Sequence, residues 1–288
     1  MISRTQRILR QVSDYAGLAD RWRDKLPLSF LGLIRGHLPV SGSRLDGFLR
    51  TVAGDFKVRP SILGGESAFL DISDPSMVTI FDELVLNATW DLSAVEGPFD
   101  LVLDLGAHTG LFSIMSAARY RRAAVVAFEP NPDNYHRLVR NVASFGSRVT
   151  PLEAAADIEN GEKCFSVSNS FSGRLADSEI HEGLSGTASL VRTVSVKELV
   201  EDRAPSRLLL KMDIEGAEYP VLPDLIPVLP SATTLFLETH DGPDKVGGVN
   251  KRLIEAGFVL KHLRTHGQQN EFLAVRSTRP DHSIELAG

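Results

Sequence analysis

The chain has a single cysteine, Cys164, in 288 residues. An intramolecular disulfide and a cysteine-rich zinc site are therefore excluded, and a reducing, cytoplasmic setting is the simpler expectation. Long apolar runs are missing too. No stretch of roughly eighteen apolar residues occurs, so no integral membrane segment is expected. The opening MISRTQRILRQVSDYAGLADRW has no continuous apolar core leading to a small-residue cleavage site, so no signal peptide is expected either. Positive charge is also in short supply, with a formal net charge of −6. Residues 1–50 carry nine Lys/Arg against four Asp/Glu, whereas the rest carries 22 against 33. An acidic bulk of this kind argues against a nucleic-acid partner. Neither H-E-x-x-H nor another ligand spacing is present among the remaining histidines; no required metal is expected, although Asp213, Glu215, Glu238 and His240 are oxygen and nitrogen donors that could converge on a cation such as magnesium.

What is there has the composition of a soluble globular chain, 43% hydrophobic and 24% charged. Residues 1–50 place Ile8, Val12, Tyr15, Leu18, Ala19 and Trp22 at steps of three and four, the period of an amphipathic helix. Pro27 and Pro39 end or bend it, and Arg4, Arg7 and Arg10 share one face, solvated or turned to an anionic partner. From 51 to 97, short strand-like pieces (DFKVRP, SAFLDIS) separated by Gly64 and Gly65 precede MVTIFDELVLNATW at helical spacing, a lead-in to the main domain. From 98 to 279 the text alternates between apolar runs and helical stretches: FDLVLDLG, AAVVAFEP, RVTPLEAAA, RLLLKMDIEG, TTLFLETH, FVLKHL and EFLAVR. Runs without polar alternation are what a parallel sheet covered on both faces requires. The expected class is a doubly wound α/β fold with a mixed sheet, the last two strands forming an antiparallel edge hairpin. Residues 166–189, rich in Ser and Gly, read as a long polar loop acting as a lid or substrate element. Residues 280–288 form a C-terminal tail.

Asp104-Leu-Gly106-Ala-His-Thr-Gly110 ends the first strong strand and opens a helix, where such sheets hold ligands. A dinucleotide fingerprint needs G-x-G-x-x-G. Asp104 stands in place of its first glycine, and a fixed negative charge there repels a pyrophosphate and attracts an amino group. The next strand ends in Phe128-Glu129-Pro130, where a carboxylate can accept hydrogen bonds from a ribose diol. An amino-acid end and a ribose end together describe S-adenosylmethionine. The bland alternative for each acid is a helix cap.

These residues resemble a family. DLGAHTGLFS, AFEPNPDNYHRLVRN and LKMDIEGAE together are similar to FkbM-type methyltransferases, a branch of the class I S-adenosylmethionine-dependent enzymes with a Rossmann-like fold. The resemblance covers roughly residues 70–276. It implies O-methylation of a sugar, polyketide or other small metabolite. Carried over, Asp104, Gly106, His108 and Gly110 line the methionine end, Glu129 holds the ribose, and Ala155 or Asp157 lies near adenine. Asp213 and Glu215 follow the fourth strand, where methyl meets acceptor. His108 stands where the family usually has Asn, and Lys197 where an Asp is common. His240, after the fifth strand, is the candidate general base because an unperturbed imidazole titrates near neutrality. Glu238 shares that rim.

The expected partner is a small-molecule or glycosylated acceptor, and a homodimer stays open. Other acceptors (an amine or a nucleic acid), a nucleotide-dependent oxidoreductase and a non-catalytic donor-binding scaffold remain alternatives at this stage.

Overall fold

Strands whose residues are apolar on both faces need a covering layer on each side, and that requirement organises the molecule. The computed structural model describes residues 4–18, 25, 29, 55–57, 69–71, 80, 83–84, 89–167, 173–176, 187–240 and 243–276. Helix α1 (Arg4–Leu18) comes first. Its Tyr15 is buried in the same apolar cluster as Trp90, Phe112 and Phe236, so the helix is seated on the main core. Ala19, Trp22, Pro27, Pro39 and the side chains of Arg4 and Arg7 lie outside the described residues. Arg10 is exposed beside Asp14. Strands β1 (Asp55–Lys57) and β2 (Phe69–Asp71) pair antiparallel; Gly64 and Gly65 between them also lie outside the described residues.

The main sheet is built from β3 (Leu101–Leu105), α2 (Leu111–Arg119), β4 (Ala124–Phe128), α3 (Pro132–Val142) and β5 (Val149–Leu152). On the other side of β3 it continues with α4 (Val196–Arg203), β10 (Arg207–Met212), α5 (Glu218–Leu225), β11 (Ala232–Thr239), α6 (Pro243–Glu255), β12 (Val259–His266) and β13 (Gln269–Arg276). Its seven strands run in the order β12-β13-β11-β10-β3-β4-β5. The five strands from β5 to β11 are mutually parallel, and β13 is antiparallel to both its neighbours. The expected hairpin is present, but its second strand inserts beside β11 and leaves β12 at the edge. The fold is Rossmann-like, doubly wound and mixed.

Alternate strand residues feed two cores. Val102, Val125, Leu209 and Phe236 face α2 and α3 with Leu111, Ile114 and Leu138. Leu103, Phe128, Leu210 and Leu237 face α4, α5 and α6 with Val200, Leu222 and Leu253. Each such fully buried side chain contributes about 1.5–3 kcal/mol. Local signals start the helices: Asn131 caps α3 by accepting from Asp133 N–H at 3.0 Å with Pro132 in the first turn. Ser195 does the same for α4 through Glu198 N–H. Lys197 pairs with Asp224 at 3.5 Å, joining α4 to α5.

Two expectations need correction. The run RVTPLEAAA is not one strand: β5 ends at Leu152 and β6 (Ala155–Asp157) joins a second sheet. With β7 (Gly161–Val167), β8 (Gly173–Ala176) and β9 (Thr187–Ser195) it forms the order β6-β9-β7-β8. The stretch 166–189, read as a polar loop, therefore contains the end of β7, all of β8 and the start of β9; residues 168–172 and 177–186 lie outside the described residues. The signal was weak because, among the described residues, the cluster of this sheet's own is Ala155, Phe165 and Val191 with Leu175 packed on it, while Ala156 and Val194 join the main core, so its strands carry little apolar pattern. Among the described residues no helix is long and apolar enough to cross a membrane.

Candidate active site

The sheet order reverses between β3 and β10, and the loops that follow these strands meet there. Gly106 has φ +80°, and a Cβ on it would stand 1.9 Å from the carbonyl oxygen of Asp213. Only glycine lets the two loops approach this closely. Gly106 and Ala107 donate backbone N–H groups to Phe128 O at 3.1 and 2.7 Å, which ties the loop to the end of β4.

Glu129 follows directly. Its carboxylate accepts from the backbone N–H of His108 at 2.7 Å and of Asn131 at 2.9 Å. At 5% exposure, burial pushes its pKa up to about 7, against the lowering effect of those two bonds. His108 itself has φ +53°, a conformation that Asn and His adopt more readily than bulky residues.

Beneath this loop lies a buried lysine, the first charged residue of the LKMDIEGAE motif, to which the sequence assigned no role. Lys211 interrupts the apolar run of β10, and its ammonium donates to Gly106 O. The same group stands 3.5 Å from both Asp104 Oδ1 and Asp213 Oδ2 and lies over the Trp90 ring at 4.8 Å. Burial would lower its pKa, but Asp213, Asp104, Glu238 and Glu129 together hold it raised. Asp104 is fully buried and accepts from Ser113 Oγ at 2.6 Å. Burial raises its pKa, opposed by Lys211. Its carboxylate meets Ser113 and Lys211 inside the protein and does not line the cavity. A charged residue in the middle of an apolar strand, next to an acid on the neighbouring strand, was the signal available for Lys211.

On the far side, His240 follows β11 and is surrounded by acids. Nδ1 is 2.5 Å from Oε1 of the fully buried Glu218. Nε2 faces Asp213 Oδ1 and Glu215 Oε2, each at 3.5 Å, and Glu238 Oε1 at 3.6 Å. Burial would lower the imidazole pKa, but the bond to Glu218 and the charges of Asp213, Glu218 and Glu215 lift it to about 10. Burial and Asp213 push Glu238 up to about 9. The expected near-neutral imidazole is therefore corrected: the surrounding acids favour a cation at this ring, its own second proton or another ion in that proton's place. Glu215 has φ +56° at the turn after β10, and strained backbone of this kind gathers at functional sites. Glu218 was also missed, because nothing local marks an acid in the first turn of a helix as a histidine's partner.

A cavity of about 230 Å³ joins the two acidic regions. Of the expected residues, Gly106, His108, Glu129, Ala155, Asp213, Glu215 and His240 line it. Asp104, Gly110 and Asp157 do not. Gly110 caps α2, and a Cβ there would meet Leu138 at 2.5 Å. Asp157 is buried against Lys163 at 2.6 Å. Phe165, Gly173 and Leu175 of the small sheet close one wall, and Ile80, Glu83 and Arg264 reach another. Asp213, Glu238 and His240 each offer one ligand atom within 4.8 Å of one another, an arrangement able to hold a metal ion.

Comparison with known proteins matches residues 104–269 to the family model described as methyltransferase FkbM domain. The hexuronic acid methyltransferase AglP of Haloferax volcanii is 31% identical over 158 residues, covering 54% of this chain and 62% of that protein. The match therefore spans less than two thirds of that relative's length. Methyltransferase sdnD of Sordaria araneosa is 28% identical over 234 residues, covering 70% of this chain and 90% of that one. A crystal structure of methyltransferase FkbM from Methylobacillus flagellatus KT is 13% identical, with TM-score 0.47, covering 94% of this chain and 59% of the other.

Proposed function

Because the chain belongs to the FkbM methyltransferase family, we propose that it moves a methyl group from S-adenosylmethionine to a hydroxyl of a small or glycosylated metabolite. The observation that carries the reading is one cavity with a backbone-held carboxylate, Glu129, at one end and the cluster of Asp213, Glu215, Glu238 and His240 at the other. The residues fit such a donor. A carboxylate offers roughly four lone-pair positions, and Glu129 meets the backbone N–H groups of His108 and Asn131 and the side chain of Asn134. The position left over suits a ribose hydroxyl. Gly106, bare of a side chain, lets its loop close on Asp213 so that both line the cavity, and the acidic rim complements a sulfonium and an ammonium.

When bound, the donor supplies an electrophilic methyl: the acceptor oxygen bonds its carbon while the carbon–sulfur bond breaks, the electron pair staying on sulfur. Glu215 takes the acceptor's proton, since Nε2 of His240, among its acids, is not free to accept one at neutral pH. Alignment of the reacting atoms supplies a large part of the acceleration, about 7–11 kcal/mol in well-oriented systems. The relative named for a hexuronic acid supports a sugar acceptor. Catalysis belongs to residues 98–279 in this reading. Residues 1–50 and 51–97 shape access, supported by Ile80 and Glu83 at the cavity wall.

The test is incubation with labelled donor and host extract, followed by mass spectrometry for a product heavier by one methyl. A second arm measures donor binding by calorimetry. No heat with the donor or its demethylated by-product overturns the proposal.

A further inference from the structure

We infer that Asp213, Glu238 and His240 form a binding site for one divalent transition-metal ion. The three residues come from the ends of two adjacent strands, β10 and β11, so the sheet itself fixes their spacing. His240 Nε2 lies 3.5 Å from Asp213 Oδ1 and 3.6 Å from Glu238 Oε1, longer than a hydrogen bond. Ligand bonds of about 2.1 Å set neighbouring donor atoms about 3.0–3.4 Å apart on an octahedron or tetrahedron. The two separations from Nε2 need only a slight contraction to reach that range, and the two carboxylates lie within 4.8 Å of each other.

A second, independent observation comes from behind the ring. Metal-bound histidines almost always donate their other N–H to a carboxylate or carbonyl, which fixes the tautomer and the ring's direction. Glu218 does this, with Oε1 2.5 Å from Nδ1. It is fully buried, and its Oε2 has no partner among the described residues. Burying a carboxylate this way is costly, and a cation held by the ring it orients offsets that cost. One imidazole and two carboxylates favour a cation of the Mn²⁺ or Zn²⁺ type over Ca²⁺, whose sites are made of oxygen alone. The ion takes the place of the proton on Nε2 and of any proton on Glu238, and these leave to solvent as it binds; three protein ligands leave coordination positions open. Glu215, at 3.5 Å from Nε2, stays outside the set and keeps its role toward the proton.

This site rests on the methyl-transfer reading for its use but not for its detection. The experiment titrates the full-length chain with Mn²⁺ alone and follows the free ion by electron paramagnetic resonance. One ion per chain is expected. Glu238→Gln and Asp213→Asn should each weaken binding at least tenfold. Glu218→Gln, which removes no ligand, should weaken it about 10–100-fold, while Glu215→Gln should stay within about threefold of wild type. Thermal melts confirm that each variant is folded; if one is not, Glu238→Asp replaces it. Absence of bound Mn²⁺ at millimolar concentration, or wild-type binding by folded Glu238→Gln, overturns the inference. Donor calorimetry on the same samples separates the two ideas: donor heat without Mn²⁺ binding sinks the metal site alone, and Mn²⁺ binding without donor heat sinks the methyl-transfer reading alone.

Discussion

The two ends of the cavity hold acids by opposite means. At the β4 end a single carboxylate, Glu129, is fixed by main-chain N–H groups within a short segment of its own strand and the neighbouring loop. At the β10–β11 end, Asp213, Glu215, Glu218 and Glu238 crowd one imidazole and are held by side chains. Backbone donors are fixed dipoles and leave Glu129 at about 7. Burial and the Asp213 charge lift Glu238 to about 9, while the bond to Glu218 and the surrounding acids lift His240 to about 10. Lys211 is the hinge of the comparison, since its ammonium touches both the loop of the first end and Asp213 of the second.

Breaking that hinge should give the largest effect. Lys211→Met strips the counter-charge from buried Asp104, and breaking a buried pair in this way costs about 3–5 kcal/mol. Denaturant unfolding should show the loss, and the double variant with Asp104→Asn should recover much of it. A wild-type midpoint for Lys211→Met would mean that the two ends are not coupled through this residue.

Next in size is the crowded end. Glu215→Gln should slow turnover by about 10²-fold, at the lower bound for losing a positioned base. Donor affinity should stay within about threefold, read by calorimetry beside steady-state rates. If turnover is unchanged, the proton leaves by another route.

The backbone-held end should respond more mildly and in the other parameter. Glu129→Gln should weaken donor binding about tenfold, the equivalent of about 1.4 kcal/mol, with turnover at saturating donor nearly intact. The pH dependence sharpens the contrast. Burial raises the Glu129 carboxyl, so it is an anion above about pH 7 and neutral below. Ligand hydroxyls donate to the anion, so donor affinity should fall as pH drops through 7, by up to about tenfold per unit. The profile should be flat in Glu129→Gln; a wild-type slope in that variant would assign the titration elsewhere.

The same contrast explains what could be read from the sequence. Glu129 was visible because strand, acid and helix cap are contiguous in AFEPNPD. Gly106 was visible because its turn follows an uninterrupted apolar strand. The acidic cluster is assembled from three segments, and only its members in the DIEG and ETH runs stood out. Glu218 and Lys211 were not assigned because their roles depend on neighbours brought close by the sheet. Asp104 was placed at the right strand end, but its direction is set by Ser113 and Lys211. The parallel sheet was legible from its apolar runs. The four-stranded sheet was not, since so small a core leaves its strands mostly polar.

That small sheet carries a further consequence. The tip of the Phe165 ring packs on Gly173, where a Cβ would meet it at 2.1 Å, and with Leu175 the pair forms a wall of the cavity. These residues draw on their own miniature core and leave the seven-stranded framework untouched. The enclosure is therefore modular: one wall can be reshaped by selection or by an engineer to admit a different guest, while the architecture that keeps the reacting groups in place is inherited intact.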